Sequence, residues 1–75
     1  MKAYVLISAH TGEAPAIVRQ ADRLEGVLET HITFGPYDAI AVIEVENTKK
    51  VGDIVYNEIQ TIPGVTHTLT CLVVD

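Results

Sequence analysis

A chain of 75 residues has room for one small domain, and a composition of 48% hydrophobic and 20% charged residues is that of a globular unit rather than a disordered segment. Five Lys and Arg against ten Asp and Glu leave a formal net charge of −5, which on average repels a nucleic-acid backbone. The lone Cys71 excludes an internal disulfide and favours a reducing, cytoplasmic setting, and the apolar run before His10 is too short for a signal-peptide core or a membrane span.

Residues 2–9, KAYVLISA, alternate with Ala3, Val5 and Ile7 on one face and Tyr4, Leu6 and Ser8 on the other, which predicts a first strand. Pro15 fits only the first turn of a helix, so a helix is expected from about Glu13, with Ala14, Ile17, Val18, Ala21 and Leu24 on its apolar side. Gly26 ends it. Residues 27–34, VLETHITF, form a second strand with Leu28, Thr30, Ile32 and Phe34 opposite Val27, Glu29, His31 and Thr33. The turn Gly35-Pro36-Tyr37-Asp38 leads into a third strand over 39–45, and the short connection makes the pair an antiparallel hairpin. Asn47 or Thr48 caps a second helix carrying Val51, Ile54, Val55, Ile59 and Ile62, which Pro63-Gly64 ends before a fourth strand over 65–74.

The order βαββαβ contains a weak repeat, Leu24-Glu25-Gly26-Val27 and Ile62-Pro63-Gly64-Val65. Two interleaved right-handed β-α-β units give an α+β, ferredoxin-like sandwich of the dimeric α/β-barrel type, with both helices on one sheet face and strand order four-one-three-two. The strands are apolar on both faces, as with Ile40 and Val42 opposite Ala41, Ile43 and Val45. The uncovered face therefore predicts a face-to-face homodimer.

Chemistry-bearing residues are scattered. His31 and His67 fall on opposite edges of the predicted sheet and His10 on a loop, and no HxH, HExxH or CxxC spacing brings metal ligands together. Ser8 and Cys71 lack a recognisable base, and Cys71 is expected to be a small core residue. Glu44 and Glu46 share a strand face, as an acid/base pair or as a solvated edge. No catalytic residue, metal or cofactor is assigned.

The remaining concentrated signals are Phe34-Gly35-Pro36-Tyr37-Asp38 and the Thr68-Leu69-Thr70 alternation of the last strand. With IPGVTHTLTCLVV at the C-terminus, they make the whole chain, 1–75, resemble the ligand-binding and assembly domain, or RAM domain, of the Lrp/AsnC (feast/famine) transcriptional regulators. The resemblance implies dimers that assemble into larger rings, commonly octamers, with amino-acid effectors bound between neighbouring dimers. It implies ligand-binding roles for Gly35, Tyr37, Asp38, Thr68 and Thr70. A carboxylate at Asp38 suits an ammonium, while threonine hydroxyls and turn N–H groups suit a carboxylate. From the residues alone, Asp38 is equally a turn residue bonded to backbone, Gly35 a position of positive φ, and Thr68 and Thr70 strand formers lining a dimer face.

The regulators carry an N-terminal helix-turn-helix domain, whereas this sequence opens on its first strand. The expectation is a cytoplasmic, non-enzymatic effector-binding and oligomerisation module without direct nucleic-acid or membrane contact, acting alone or by mixed assembly with full-length regulators. The rival readings are a small dimeric α/β-barrel enzyme, monooxygenase- or isomerase-like, with a polar cavity near His31 or His10, and a ligand-free structural assembly module.

Overall fold

A computed structural model describes residues 1–75. The elements are β1 (Lys2–Ala9), α1 (Ala14–Ala21), β2 (Val27–Ile32), β3 (Ala39–Glu44), α2 (Thr48–Ile54) continued by a π-helical turn (Val55–Ile59), and β4 (Val65–Leu72). The strands form one antiparallel sheet in the order β2-β3-β1-β4. This is the ferredoxin-like arrangement expected from the βαββαβ order.

Both helices pack on the face that carries Ala3, Val5 and Ile7 of β1 and Ala39, Ala41 and Ile43 of β3. The alanines among these keep the sheet surface low, so that Ile17 of α1 and Ile59 of the π turn reach the sheet and are wholly excluded from water. Pro15 lies in the first turn of α1, as its missing N–H requires. The helix stops at Ala21 rather than Leu24 because the chain tightens there: Arg23 N donates to Gln20 O and Leu24 N to Ala21 O. Leu24 still packs against the core. Asn47 caps α2 through Oδ1, which accepts from Lys50 N at 2.9 Å. Beyond Ile54 the helix widens, and Gln60 N donates five residues back to Val55 O.

The internal repeat is a repeated turn. Val27 N donates to Leu24 O and Val65 N to Ile62 O, both at 3.2 Å, with glycine at the third position at φ +94° (Gly26) and +98° (Gly64). These are type II turns, and Pro63 occupies the position that favours proline. Each glycine carbonyl then ties to the end of a central strand: Gly26 O accepts from Glu44 N at 2.8 Å, and Gly64 O from His10 N at 2.9 Å. A Cβ on Gly64 would lie 2.7 Å from Glu13 Cβ, and one on Gly26 2.9 Å from Val45 Cγ1.

Three strands are shorter than their sequence patterns. β2 ends at Ile32 because Thr33 N donates to Asp38 O and Thr33 Oγ1 to Tyr37 O, closing the hairpin turn early. β3 and β4 end at Glu44 and Leu72, although Val45 N still bonds Met1 O and Val73 N bonds Lys2 O. A bulge also breaks the alternation of β2: Val27 pairs with Ile43 and Glu29 with Val42, so Leu28 is the extra residue. Val27 is thereby turned onto the helix-covered face with Thr30 and packs against the core, instead of lying opposite Thr30.

The turn glycines and the helical Gly52 predict opposite responses. Gly64→Ala is expected to cost more than about 1 kcal/mol through backbone strain and the clash with Glu13. Gly52→Ala, with open space around the new methyl, should stabilise by about 0.5–1 kcal/mol. Urea unfolding of the two variants measures both, and equal effects of the same sign would contradict the assigned geometry.

Candidate functional site

The turn between β2 and β3 is built around Asp38. Its N–H donates to Ile7 O at 2.9 Å, its carbonyl accepts from Thr33 N at 3.0 Å, and its carboxylate Oδ2 accepts from Ala9 N at 2.8 Å. Ala9 follows the last β1–β3 pair, Ile7 with Ala39, and its N–H faces the β3 side, where the ladder has ended and the aspartate takes it. The backbone-bonding role foreseen for Asp38 is real, but the bond runs to a strand 29 residues away rather than within the turn. Oδ1 accepts no hydrogen bond from the chain.

Tyr37 is half-buried beside Asp38, while Phe34, Gly35 and Pro36 are exposed. Gly35 does not hold a positive φ, which only Gly12, Gly26 and Gly64 adopt, and a Cβ there would meet nothing within 4 Å. Conformational need therefore does not explain this glycine. The turn curls through Tyr37 and Asp38 by hydrogen bonds of Thr33, and these make a left-handed residue unnecessary.

Thr68 and Thr70 are placed differently from the reading that put them on a dimer face. Thr68 pairs with Ile7 and Thr70 with Val5, both core-facing residues, so the threonines lie on the helix-covered side. Thr68 Oγ1 accepts from Gln60 Nε2 at 2.9 Å, and Thr70 floors a groove of about 350 Å³ between α2 and β4 with Val51, Val55, Tyr56 and Leu72. Thr68 shares the end of the sheet with the Asp38 turn but lies beyond β1, about 10 Å away at two strand spacings. None of the four main cavities of the chain is lined by both the turn and β4. The turn and Thr68 thus meet at one end of the sheet, Thr70 lies two residues toward its middle, and the five residues form no single pocket.

The opposite face of the sheet is uncovered. Tyr4, Leu6, Ile40, Val42 and Leu69 make an apolar stripe across its middle, since each alternates with a core residue in the register. Val42 is nearly inaccessible even so, shielded by its cross-strand neighbours Tyr4 and Glu29. The rim is polar: His31 Nε2 and Glu29 Oε1 are 2.7 Å apart on β2, and Lys2 lies over the Tyr4 ring at 5.5 Å. Cys71 is exposed on this face, not in the core, because the residues that alternate with it on β4, Thr70 and Leu72, take the helix side.

The largest hollow, about 530 Å³, lies at the other end of β3 among Glu25, Glu44, Glu46, Asp53, Glu58 and Lys50. Glu44 and Glu46 are thus parts of a broad acidic surface rather than an isolated pair. The core holds no buried polar or charged side chain, and neither His10 nor His31 lines a main cavity, so the intrasubunit pocket required of a barrel-type enzyme is not formed. No three His, Cys, Asp or Glu side chains converge on a point where a metal would sit. No helix is long and apolar enough to cross a membrane.

Comparison with protein families places residues 2–75 on the model of the Lrp/AsnC ligand-binding domain. The chain belongs to that family. An uncharacterised HTH-type transcriptional regulator of Pyrococcus abyssi is 32% identical over 59 residues, covering 79% of this chain and 39% of the regulator. The chain thus spans well under half the length of such relatives. TTHA0845 from Thermus thermophilus matches nearly end to end, with 28% identity, TM-score 0.94 and coverage of 99% of this chain and 92% of that one. Escherichia coli AsnC shares the fold at 21% identity and TM-score 0.91, over 99% of this chain and 50% of AsnC. A Neisseria meningitidis regulator solved with L-Met, NMB0573, shares it at 14% identity and TM-score 0.87, over 99% and 49%. The relatives are transcriptional regulators, and no arrangement in this Lrp/AsnC domain supplies positive evidence of catalysis.

Sequence reasoning missed the Ala9–Asp38 bond and the Gln60–Thr68 bond. The first depends on where the β1–β3 ladder ends, which the alternation of β1 does not mark. The second depends on the π turn bringing Gln60 over β4. The Asp38 geometry predicts that Asp38→Ala, which orphans the Ala9 N–H, loses about 1–3 kcal/mol of unfolding free energy. Asp38→Asn, which keeps an acceptor, should lose much less; thermal and urea unfolding of the pair would decide, and equal losses would remove the clamp as the explanation.

Proposed function

We propose that this Lrp/AsnC domain is an effector-binding and oligomerisation module of a transcriptional regulator system, that its effector is an amino acid, and that it binds between chains. The observation that carries the reading is the Asp38 carboxylate: Oδ2 is fixed on Ala9 N–H and Oδ1 is left without a partner in the chain, at the end of the sheet that Thr68 also occupies. A carboxylate oriented by a backbone bond is suited to an ammonium group. Tyr37 supplies an apolar wall beside it, and the exposed Gly35 allows a ligand or a second chain to approach the backbone closely. Thr68 and Thr70 are the hydroxyl donors of the proposed site. Because no cavity of one chain joins the turn to β4, a neighbouring chain is needed to complete the enclosure. The L-Met complex of the Neisseria relative is in keeping with an amino-acid effector.

In this reading the apolar stripe of Tyr4, Leu6, Ile40, Val42 and Leu69 is covered by a second copy in a face-to-face homodimer, and dimers join into a larger, ring-like assembly. These residues make no direct DNA contact, in keeping with a net charge of −5. Their influence on transcription passes through assembly, alone or mixed with full-length regulators in the cytoplasm.

Calorimetric titration with the twenty amino acids tests the ligand. At least one is expected to bind saturably, and Asp38→Asn is expected to weaken it about tenfold or more, the loss of a charge-assisted hydrogen bond, with little change in thermal unfolding. Absence of binding at millimolar concentration, with no heat difference between wild type and Asp38→Asn, would end the sensor reading. Leu6→Lys tests the dimer: sedimentation velocity should show a folded chain that has lost one association step relative to wild type, and an unchanged mass would place the interface elsewhere.

A further inference from the structure

The two edges of the sheet are built differently. β2 is six residues long, is bulged at Leu28 and carries the Glu29–His31 pair, all features that discourage a further strand. β4 is eight residues long, its one bulge lies at its N-terminal end, where Thr66 has no partner on β1, and from Val65 to Val74 it contains no Asp, Glu, Lys, Arg or Pro. Its composition, dominated by β-branched and apolar residues, is that of an inner strand, yet it lies at the edge.

The hydrogen-bond phase of β4 decides which of its groups are free. Val73 N donates to Lys2 O, and antiparallel ladders alternate bonded and non-bonded residues. His67, Leu69 and Cys71, opposite Ser8, Leu6 and Tyr4, are therefore bonded inward. Thr68, Thr70 and Leu72 turn their N–H and C=O groups to the open edge, while Thr66 is the extra residue of the bulge. The groove between α2 and β4 keeps the helix back from Thr70 and Leu72, so the chain itself does not cover these groups.

We propose that this edge pairs with β4 of a second copy, antiparallel and centred on Leu69. A two-fold axis through Leu69 sets Thr68 opposite the second copy's Thr70 and His67 opposite its Cys71. Thr68 and Thr70, both outward-bonding, then meet each other, as an antiparallel ladder requires. The Thr68-Leu69-Thr70 run reads the same from either end, so the two Thr–Thr pairs are equivalent and no like charges oppose. Shifting the register two residues toward the N-terminus would centre it beside the Thr66 bulge and draw in Gly64, which favours the Leu69 centre. The result is one eight-stranded sheet with all helices on one side. The apolar stripe on the other side stays open and continuous, so edge pairing and face-to-face pairing occupy different surfaces.

Cysteine cross-linking separates this contact from a face-to-face one, because Thr68 and Thr70 lie on the helix-covered side where the stripe-mediated interface does not reach. Thr68→Cys and Thr70→Cys are each made in a Cys71→Ser background, mixed, oxidised mildly and analysed by non-reducing mass spectrometry. The mixed 68-to-70 disulfide is expected to exceed either homodisulfide several-fold, since the like positions are offset by two residues along the strands. Absence of the mixed product, or its formation no faster than the homodisulfides, would overturn the pairing. In parallel, Thr70→Pro removes an outward N–H while sparing the ladder to β1. A folded Thr70→Pro chain should lose one association step by sedimentation velocity, and retention of the wild-type mass would count against the edge contact.

Discussion

Two helices can cover only one face of a four-stranded sheet, and this shortage of cover governs the molecule. The alanines and isoleucines of β1 and β3 that meet α1 and α2 are sealed from water, and their alternate neighbours Tyr4, Leu6, Ile40 and Val42 are not covered by a second layer of the chain. A domain of this size buries only about 60% of its unfolded surface by itself. In the proposed dimer, the apolar stripe on the second face is part of a core whose other half lies in another molecule. The polar rim, with Glu29 and His31 on one edge strand and His67 on the other, bounds that stripe as a rim bounds an interface.

The end of the sheet that carries the candidate site depends on one hydrogen bond. β3 begins only at Ala39, so the Ala9 N–H that faces it from β1 meets no strand carbonyl, and Asp38 Oδ2 accepts from it instead. The same bond leaves Oδ1 without a partner in the chain. The structural role and the proposed recognition role are thus compatible at this residue: the bond that holds the turn to β1 also orients the carboxylate. This is why substitution by asparagine, and not by alanine, isolates the contribution of charge.

Much of the fold is legible in the sequence, because its signals are local. Ala3, Val5 and Ile7 declare the buried face of β1, Pro15 and Asn47 mark helix starts, and the two Gly-Val turns declare the repeat. The strand order follows from handedness and from the short β2–β3 connection. What escapes depends on distant partners. The Leu28 bulge, which turns Val27 inward, is set by pairing with β3, and no alternation rule announces it. Cys71 reads as a core residue by type, but its parity on β4 puts it on the uncovered face. Thr68 and Thr70 read as residues of a dimer face and lie instead on the helix-covered side. A register offset of one residue makes that difference, and only pairing with Val5 and Ile7 fixes it.

The repeat also explains how one small fold keeps its charge away from its candidate site. The two halves place equivalent turns at opposite ends of the sheet, Gly26 O on Glu44 N and Gly64 O on His10 N. At the Gly26 end, Glu25, Glu44, Glu46, Asp53 and Glu58 gather around one hollow. At the Gly64 end the neighbours are His10, Glu13, His67, Thr68 and the carboxylate of Asp38. Half of the ten acidic residues thus sit at the far end of β3 from the candidate site. The net charge repels polyanions from the molecule as a whole, while the Gly64 end carries two carboxylates, Glu13 and Asp38, with hydroxyl neighbours. A zwitterion, whose ammonium meets the Asp38 carboxylate and whose own carboxylate stands apart from the acidic cluster at the Gly26 end, suits the proposed site better than a polyanion.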